Sequence, residues 1–477
     1  MLIQGVRDHL IDAIRTRLRS DVPLGVYLSG GVDSSAIAGI IAHLLREKSA
    51  EIQTKTGSAT GAPAKLKCLS IGFDHPGSEV EIARRTADYI GADFSPLPVT
   101  EELLCDHLEE AIVQCELPYV DLGSVAKFLL SRHAKEQGVT VVLTGEGSDE
   151  HFAGYPLFLR DRFALEDASG VAGSKVPTPA RDSSIYPPRA TFWGQETKQL
   201  PAELQDKYAV GRLDITRILV SSHHDEGLLP WAQEFKDESY ERRLALLNRV
   251  LPANAQRALE SGSYHPLHSA LLLWQNTIFP TQLLTHLGDR VEMAHALEAR
   301  TPFLDHHLTE FVDSLPPSYK IKLEAPSSAS AGGETGDYDK GNVREKWILY
   351  EAVKPFITPE VYDRTKQPFI HGARKRPTGG PMHRLLQRLL TREAVERVGW
   401  LDYDAIQELI AIGFDEDDDK VSVQQSRLAV AKALLCAQIC LFAKHWRVEK
   451  LTEDKAREAA EAEESRGINN GQVKRVD

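Results

Sequence analysis

Cysteine is scarce in this chain, with five in 477 residues at Cys68, Cys105, Cys115, Cys436 and Cys440, and no CxxC occurs. Thiols this few and scattered exclude a disulfide framework and read as reduced. Cys436 and Cys440 stand one helical turn apart, but two ligands do not complete a tetrahedral metal site, so both read as small buried hydrophobes. Basic charge is also short. Lys and Arg number 56 against 69 Asp and Glu, a net charge of −13, and such a surface repels a phosphate backbone. Nucleic acid is thereby excluded as the main partner, and any anionic ligand has to be met by local groups. Long hydrophobic runs are missing too. No basic segment followed by an apolar run opens the chain, so no signal peptide is expected. The most apolar segment, 428–446, carries Lys432 and Gln438 and is short for a bilayer span. It predicts a core helix, no membrane partner and a cytoplasmic protein.

What is present is the composition of a globular enzyme: 42% apolar and 26% charged residues, with length enough for two or three domains. Leu2, Val6, Leu10, Ile14 and Leu18 recur at helical spacing until Asp21 to Pro23 break the pattern. A strand follows from Gly25, then a glycine turn and a helix to about Lys48. A Gly, Ser, Thr and Ala mixture at 49–64 reads as a loop. Strand LKCLSIGF, helix EVEIARRTADYI, helices from about Glu101 and Ser124, and a strand from Val139 continue the alternation. Nearly continuous apolar strands between helices predict an α/β fold, a parallel sheet with helices on both faces. That unit is expected over 1–160, with a Pro, Ser and Asp-rich linker over 161–204. A mainly helical region with a low-complexity insert at 324–340 is expected over 205–450, and a charged, disordered tail over 451–477.

The segment LGVYLSGGVDSSAIAGIIAHL, from Leu24, places two glycines, three serines and an acid between a strand and a helix. Glycines there let backbone N–H groups converge on an anion, and the helix adds its positive N-terminal end. SGGVDSS therefore reads as a phosphate cradle. It lacks the lysine of GxxxxGK[ST] and is not a Walker loop. Ser29, Ser34 and Ser35 offer hydroxyls instead, and Asp33 would repel phosphate unless a divalent cation bridged them. The plain alternative is a glycine turn whose Ser and Asp cap the next helix.

This stretch resembles the pyrophosphate loop of the ATP pyrophosphatases, which cleave ATP between its α and β phosphates. TGEGSDEHFAGY from Thr144 and ARTPFLDHHLTEFVDSLP from Ala299 resemble the second and third signatures of the asparagine synthetase group, and RTKQPF from Arg364 its late lysine loop. The resemblance implies the fold of the adenine nucleotide alpha hydrolase-like proteins. It also implies ATP and Mg2+ as cofactors, with Leu28, Ser29, Gly30, Gly31, Asp33, Ser34, Ser35, Ile71, Thr144 and Gly145 around the nucleotide. Asp33 and Asp149 would hold the metal. Glu146 matches the acid associated with forming the acyl adenylate, and Lys366 the cation facing the α-phosphate. The chemistry asks for these types independently: a carboxylate attacking an anionic phosphate needs a metal and a cation to stabilise the added charge. A lysine loop can close over the anhydride and keep water away. Arg300 and Asp305 are expected to pair structurally. The plain alternative for Glu146 and Asp149 is helix capping, and for Lys366 a solvated charge.

The implied activity is AMP-forming adenylation of a carboxylic acid, with aspartate as the default, followed by amidation with ammonia. Glutaminase-linked members of the group begin with a cysteine-nucleophile domain. Here Leu2 occupies that place, so the nitrogen is expected from free ammonia or a separate glutaminase, unless the sequence is a piece of a longer chain. Ala153 stands for one of the usual two glycines before Tyr155, His151 for an apolar residue, and Tyr350 for a frequent arginine. These departures leave the acid open. The same chemistry on another acid, as in lactam or specialised-metabolite amide synthesis, is the neighbouring reading. A non-catalytic nucleotide-binding subunit is the alternative of a different class, and tRNA modification is disfavoured because the basic patches it predicts are missing.

Overall fold

The computed structural model describes residues 1–47, 65–73, 79–167, 200, 202–221, 230–232, 240–323, 343–364, 375–417 and 420–448. The 49–64 loop, the 324–340 insert, the 451–477 tail and most of the 161–204 linker lie outside the described residues. Five strands form one parallel sheet: β1 (Leu24–Tyr27), β2 (Lys67–Phe73), β3 (Asp93–Val99), β4 (Val141–Leu143) and β5 (Glu298–Arg300), in the order β3-β2-β1-β4-β5.

Side chains alternate across a strand, which explains why these strands are apolar throughout. Val26, Cys68, Val141 and Leu143 join one core with the helices Leu2–Arg17, Val32–Arg46 and Trp347–Val353. Tyr27, Leu69 and Val142 face the other way, against Leu130 and Ala134 of the Gly123–Glu136 helix. Each fully buried Val or Leu contributes about 1.5–3 kcal/mol, so covering both faces stabilises the short strands.

The two strands without an apolar pattern are the edges. β3 reads DFSPLPV, and two prolines are tolerable because an edge strand does not need every N–H. β5 has three residues and reaches the sheet from the third signature block, more than 150 residues after β4. The expected Arg300–Asp305 pair is not what forms: Asp305 meets Arg17 at 2.9 Å, while Arg300 bonds Glu298 at 2.6 Å and the carbonyls of Arg17 and Arg19. β5 points Arg300 at the end of the first helix, whose last residue and the segment just after it supply those carbonyls.

The helix Val423–Trp446 is long and apolar enough to cross a membrane, yet 83% of its most apolar window is buried. It anchors a separate core with Leu104, Leu108, Leu386 and Ile406. Cys436 and Cys440 are buried free thiols in that core, as expected of small hydrophobes.

Candidate active site

Strand order reverses beside β1: the chain moves outward to β2 and β3, then returns to lay β4 on the other side. Open parallel sheets bind ligands at such a switch point, outside the carboxyl ends of the strands. The turn after β1 carries residues 28–31 and the turn after β4 carries 144–147, so two signature blocks distant in sequence become adjacent.

The glycine turn is braced from within. Leu28 N–H donates to the Leu69 carbonyl at 2.8 Å, and Ser29 N–H donates to Ser34 Oγ at 3.1 Å. The Ser29 and Ser34 hydroxyls lie 3.0 Å apart, and Gly31 N–H donates to Ser29 Oγ at 3.3 Å. Gly30 has φ +82°, and a Cβ there would sit 2.9 Å from the Glu79 carbonyl oxygen, so only glycine fits. Ser35 Oγ is buried with no hydrogen-bond partner among the described residues. Ile71 lies on β2, two residues beyond Leu69.

Gly145 lets the second turn close on the first, since a Cβ would stand 3.0 Å from that of Asp33. Thr144 N–H donates to the Arg300 carbonyl at 3.0 Å, tying this turn to β5. The capping alternative falls to a neighbour: Glu150, not Glu146 or Asp149, accepts the Gly147 N–H at 3.1 Å at the start of Ser148–Phe152.

Asp33 and Asp149 converge on one cation. Lys346 Nζ donates to both carboxylate oxygens of Asp33 at 2.8 Å and pairs with Asp149 Oδ1 at 2.7 Å. Ser148 Oγ donates to Asp33 Oδ1 at 2.6 Å. Burial opposes the ammonium, but the two carboxylates raise its pKa well above the ordinary lysine value. Lys346 is a left-handed non-glycine residue, φ +50°, a conformation that costs about 1 kcal/mol and gathers at functional positions. Sequence reading missed it because nothing distinguishes one lysine in REKW from a solvated charge.

Mg2+ takes oxygen ligands, keeps several waters, and is typically held by one or two carboxylates plus substrate phosphates. Two carboxylates on one lysine leave a net charge of −1, so the trio accepts a further cation, and the glycine turn with its orphaned Ser35 hydroxyl supplies donors for phosphate. These residues fit the implied group. Among the described residues no cluster of three or more His, Cys, Asp or Glu could hold a metal.

Glu146, in the turn after β4, receives Lys127 Nζ at 2.6 Å. Burial opposes its ionisation, but the charge and hydrogen bond of Lys127 hold its carboxyl below the usual range. Lys127, from the Gly123–Glu136 helix, gave no sequence signal. Lys366 lies outside the described residues. Two residues before it, Arg364 donates to the Gly30 carbonyl at 3.2 Å and pairs with Glu79 at 2.6 Å, which holds Arg364 against the glycine turn.

The three departures have physical accounts. His151 Nδ1 meets Asp313 at 3.0 Å, and the buried Lys320 donates to the His151 carbonyl at 2.6 Å. Ala153 occupies the left-handed region, φ +57°, where glycine is unstrained. Tyr350 is buried under Arg344, whose guanidinium carbon is 4.4 Å from the ring centroid.

Comparison with known proteins matches the model of the family described as asparagine synthase over residues 5–438. The chain is 34% identical over 462 residues to amidase chyE of Penicillium rubens, covering 94% of this chain and 62% of that protein. It is 33% identical over 459 residues to amidase chry2 of Gibberella zeae, covering 94% and 63%. Against asparagine synthetase [glutamine-hydrolyzing] 1 of Bacillus subtilis it is 25% identical over 379 residues, covering 77% and 49%. The chain thus spans less than two thirds of the length of these curated relatives. A match over most of the chain, on a sheet whose switch point gathers Asp33, Asp149 and the glycine turn, makes this chain a member of the asparagine synthase family, whose ligases depend on ATP.

Proposed function

We propose that the chain activates a carboxylic acid with ATP, forming an acyl adenylate and pyrophosphate, and transfers the acyl group to nitrogen to give an amide and AMP. The observation that carries this reading is the convergence of Asp33 and Asp149 on Lys346 beside the glycine turn. The glycine turn and its serine hydroxyls bind the polyphosphate. Lys346 neutralises part of its charge, and Asp33 and Asp149 would hold magnesium. When bound, that metal would stabilise charge on the phosphate oxygens as pyrophosphate leaves. Lys366, two residues beyond the Arg364 anchor, faces the α-phosphate in this reading. Glu146, kept ionised by Lys127, lines the place where the acyl carbon meets nitrogen.

The acid is one other than aspartate. Two relatives that align with 94% of the chain are named amidases, whereas the asparagine synthetase above aligns with 77% at lower identity. Ala153, His151 and Tyr350 depart from the family pattern without touching the phosphate turn, which favours specialised-metabolite amide synthesis. The test is a panel of carboxylic acids, aspartate included, with ATP, Mg2+ and ammonium chloride. AMP and pyrophosphate formed with an acid other than aspartate support the reading, aspartate turnover alone restores the default, and ADP contradicts the mechanism. Nucleotide binding without turnover on any acid favours a non-catalytic subunit.

A further inference from the structure

A ligase of this kind, if the preceding reading holds, also needs a place for its nitrogen. Beside Glu146, the Gly123–Glu136 helix packs against the short helix Arg290–Met293, and Tyr27 ends β1. Three buried oxygens there have no hydrogen-bond partner among the described residues: the Tyr27 hydroxyl, Glu146 Oε2 and Glu292 Oε1. Glu292 is 2% exposed and Tyr27 8%. Lys127 spans the two acids, 2.6 Å from Glu146 Oε1 and 3.6 Å from Glu292 Oε1, the second an ion-pair separation too long for a hydrogen bond. Burial raises the Tyr27 hydroxyl's pKa, and both carboxylates raise it further, which places all three groups in one electrostatic neighbourhood.

A buried oxygen left without a partner costs about 1–3 kcal/mol, so the two carboxylate oxygens beside Lys127, with the Tyr27 hydroxyl in their field, call for a donor. With both acids ionised and Lys127 charged, the cluster carries −1 and matches a single monovalent cation. A ligand with only N–H donors fits, and the enclosure of all three oxygens fits a small one. We propose that Tyr27, Glu146 and Glu292 form the site that binds the nitrogen substrate as ammonium, with Glu292 its proton acceptor. An N–H bond of the ammonium breaks and its proton goes to the Glu292 carboxylate. The freed nitrogen lone pair attacks the acyl carbon, the bond from that carbon to the phosphate oxygen breaks, and AMP departs with the electron pair. The second proton leaves the N-protonated amide, a strong acid, for Glu146. Burial raises the Glu292 carboxyl to about 7 against the opposing charge of Lys127, with Glu146 and Asp289 adding to the rise. A base poised there accepts a proton near neutral pH.

The test uses the full chain with Glu292→Gln and Tyr27→Phe. Acid-dependent exchange of labelled pyrophosphate into ATP reads adenylation alone, and amide formation against ammonium chloride reads the second step. The half-saturating ammonium concentration is expected to rise about tenfold or more in Glu292→Gln, and amide formation to fall at least that much more than exchange. An unchanged half-saturation, or equal losses in both steps, overturns the site. If the unaltered protein exchanges with no acid, the ligase reading fails separately. The site is then decided by thermal unfolding in ammonium chloride against equal sodium chloride. A midpoint raised by ammonium in the unaltered protein but not in Glu292→Gln supports it, and equal midpoints in both salts overturn it.

Discussion

Lys346 holds Asp33 and Asp149 together against their mutual repulsion. Removing the lysine leaves two carboxylates facing one another with their countercharge gone, a change that typically costs 3–5 kcal/mol for a buried pair. Lys346→Met is therefore expected to lower stability by about 3 kcal/mol in a denaturant titration, and magnesium chloride to restore part of it by standing between the acids. No recovery with magnesium would count against a metal at that place. Asp33→Asn and Asp149→Asn act on the reaction more than on the fold, because the amide still accepts a bond from Lys346. Pyrophosphate release from the best acid is expected to drop by about a hundredfold or more in each, consistent with loss of transition-state charge stabilisation. Gly154 is the glycine kept next to Ala153. A Cβ at this position would overlap both the Asp149 carboxylate and the Lys346 side chain. Gly154→Ala is expected to lose activity as fully as the Asp149 variant, read by the same assay.

Among the elements, the Val32–Arg46 helix does two jobs: its first turn carries Asp33, Ser34 and Ser35, and its buried length anchors them to the core. Gly39 in its middle is there for packing. A Cβ at this position would run into the Phe356 carbonyl, and a backbone oxygen cannot swing aside. Gly39→Ala gains roughly 1 kcal/mol in helix propensity, but overpacking against backbone costs about 1–3 kcal/mol. The clash wins, so the midpoint of thermal unfolding is expected to fall. A rise would mean that the Lys354–Phe356 turn yields easily.

Over the whole molecule, buried titratable groups set opposing pH dependences. Glu292 is raised to about 7, chiefly by burial, from an ordinary 4.5. The folded state holds that proton more tightly than the unfolded one, so this contribution is present below 4.5 and is lost as pH rises through 7. His286 is lowered by burial to about 4 from 6.5, and His268 to about 4 by burial with the Lys320 charge adding. Their contribution is present above 6.5 and is lost as pH falls toward 4. The two trends offset one another between about 4.5 and 6.5. Glu292→Gln, which carries no ionisable group, is expected to gain on the order of 3 kcal/mol over the unaltered protein between pH 4.5 and 8, measured by denaturant unfolding at each pH. A constant difference across that range would place Glu292 outside the buried cluster.

The sequence by itself determined β1, β2, β4 and the helices between them, since continuous apolar runs and glycine turns are local signals. It also placed the glycine turn between β1 and the next helix, because SGGVDSS breaks both patterns at once. It missed β3, whose prolines hide an edge strand, and β5, too short to show a period. Only the tertiary structure decided which charges meet. Lys346, Lys127 and Glu292 come from helices or turns far from the residues they serve, and a single lysine or glutamate carries no pattern that separates a buried partner from a solvated one. Their roles arise when the sheet order brings the ends of β1 and β4 together and low-dielectric surroundings make each charge depend on its neighbour.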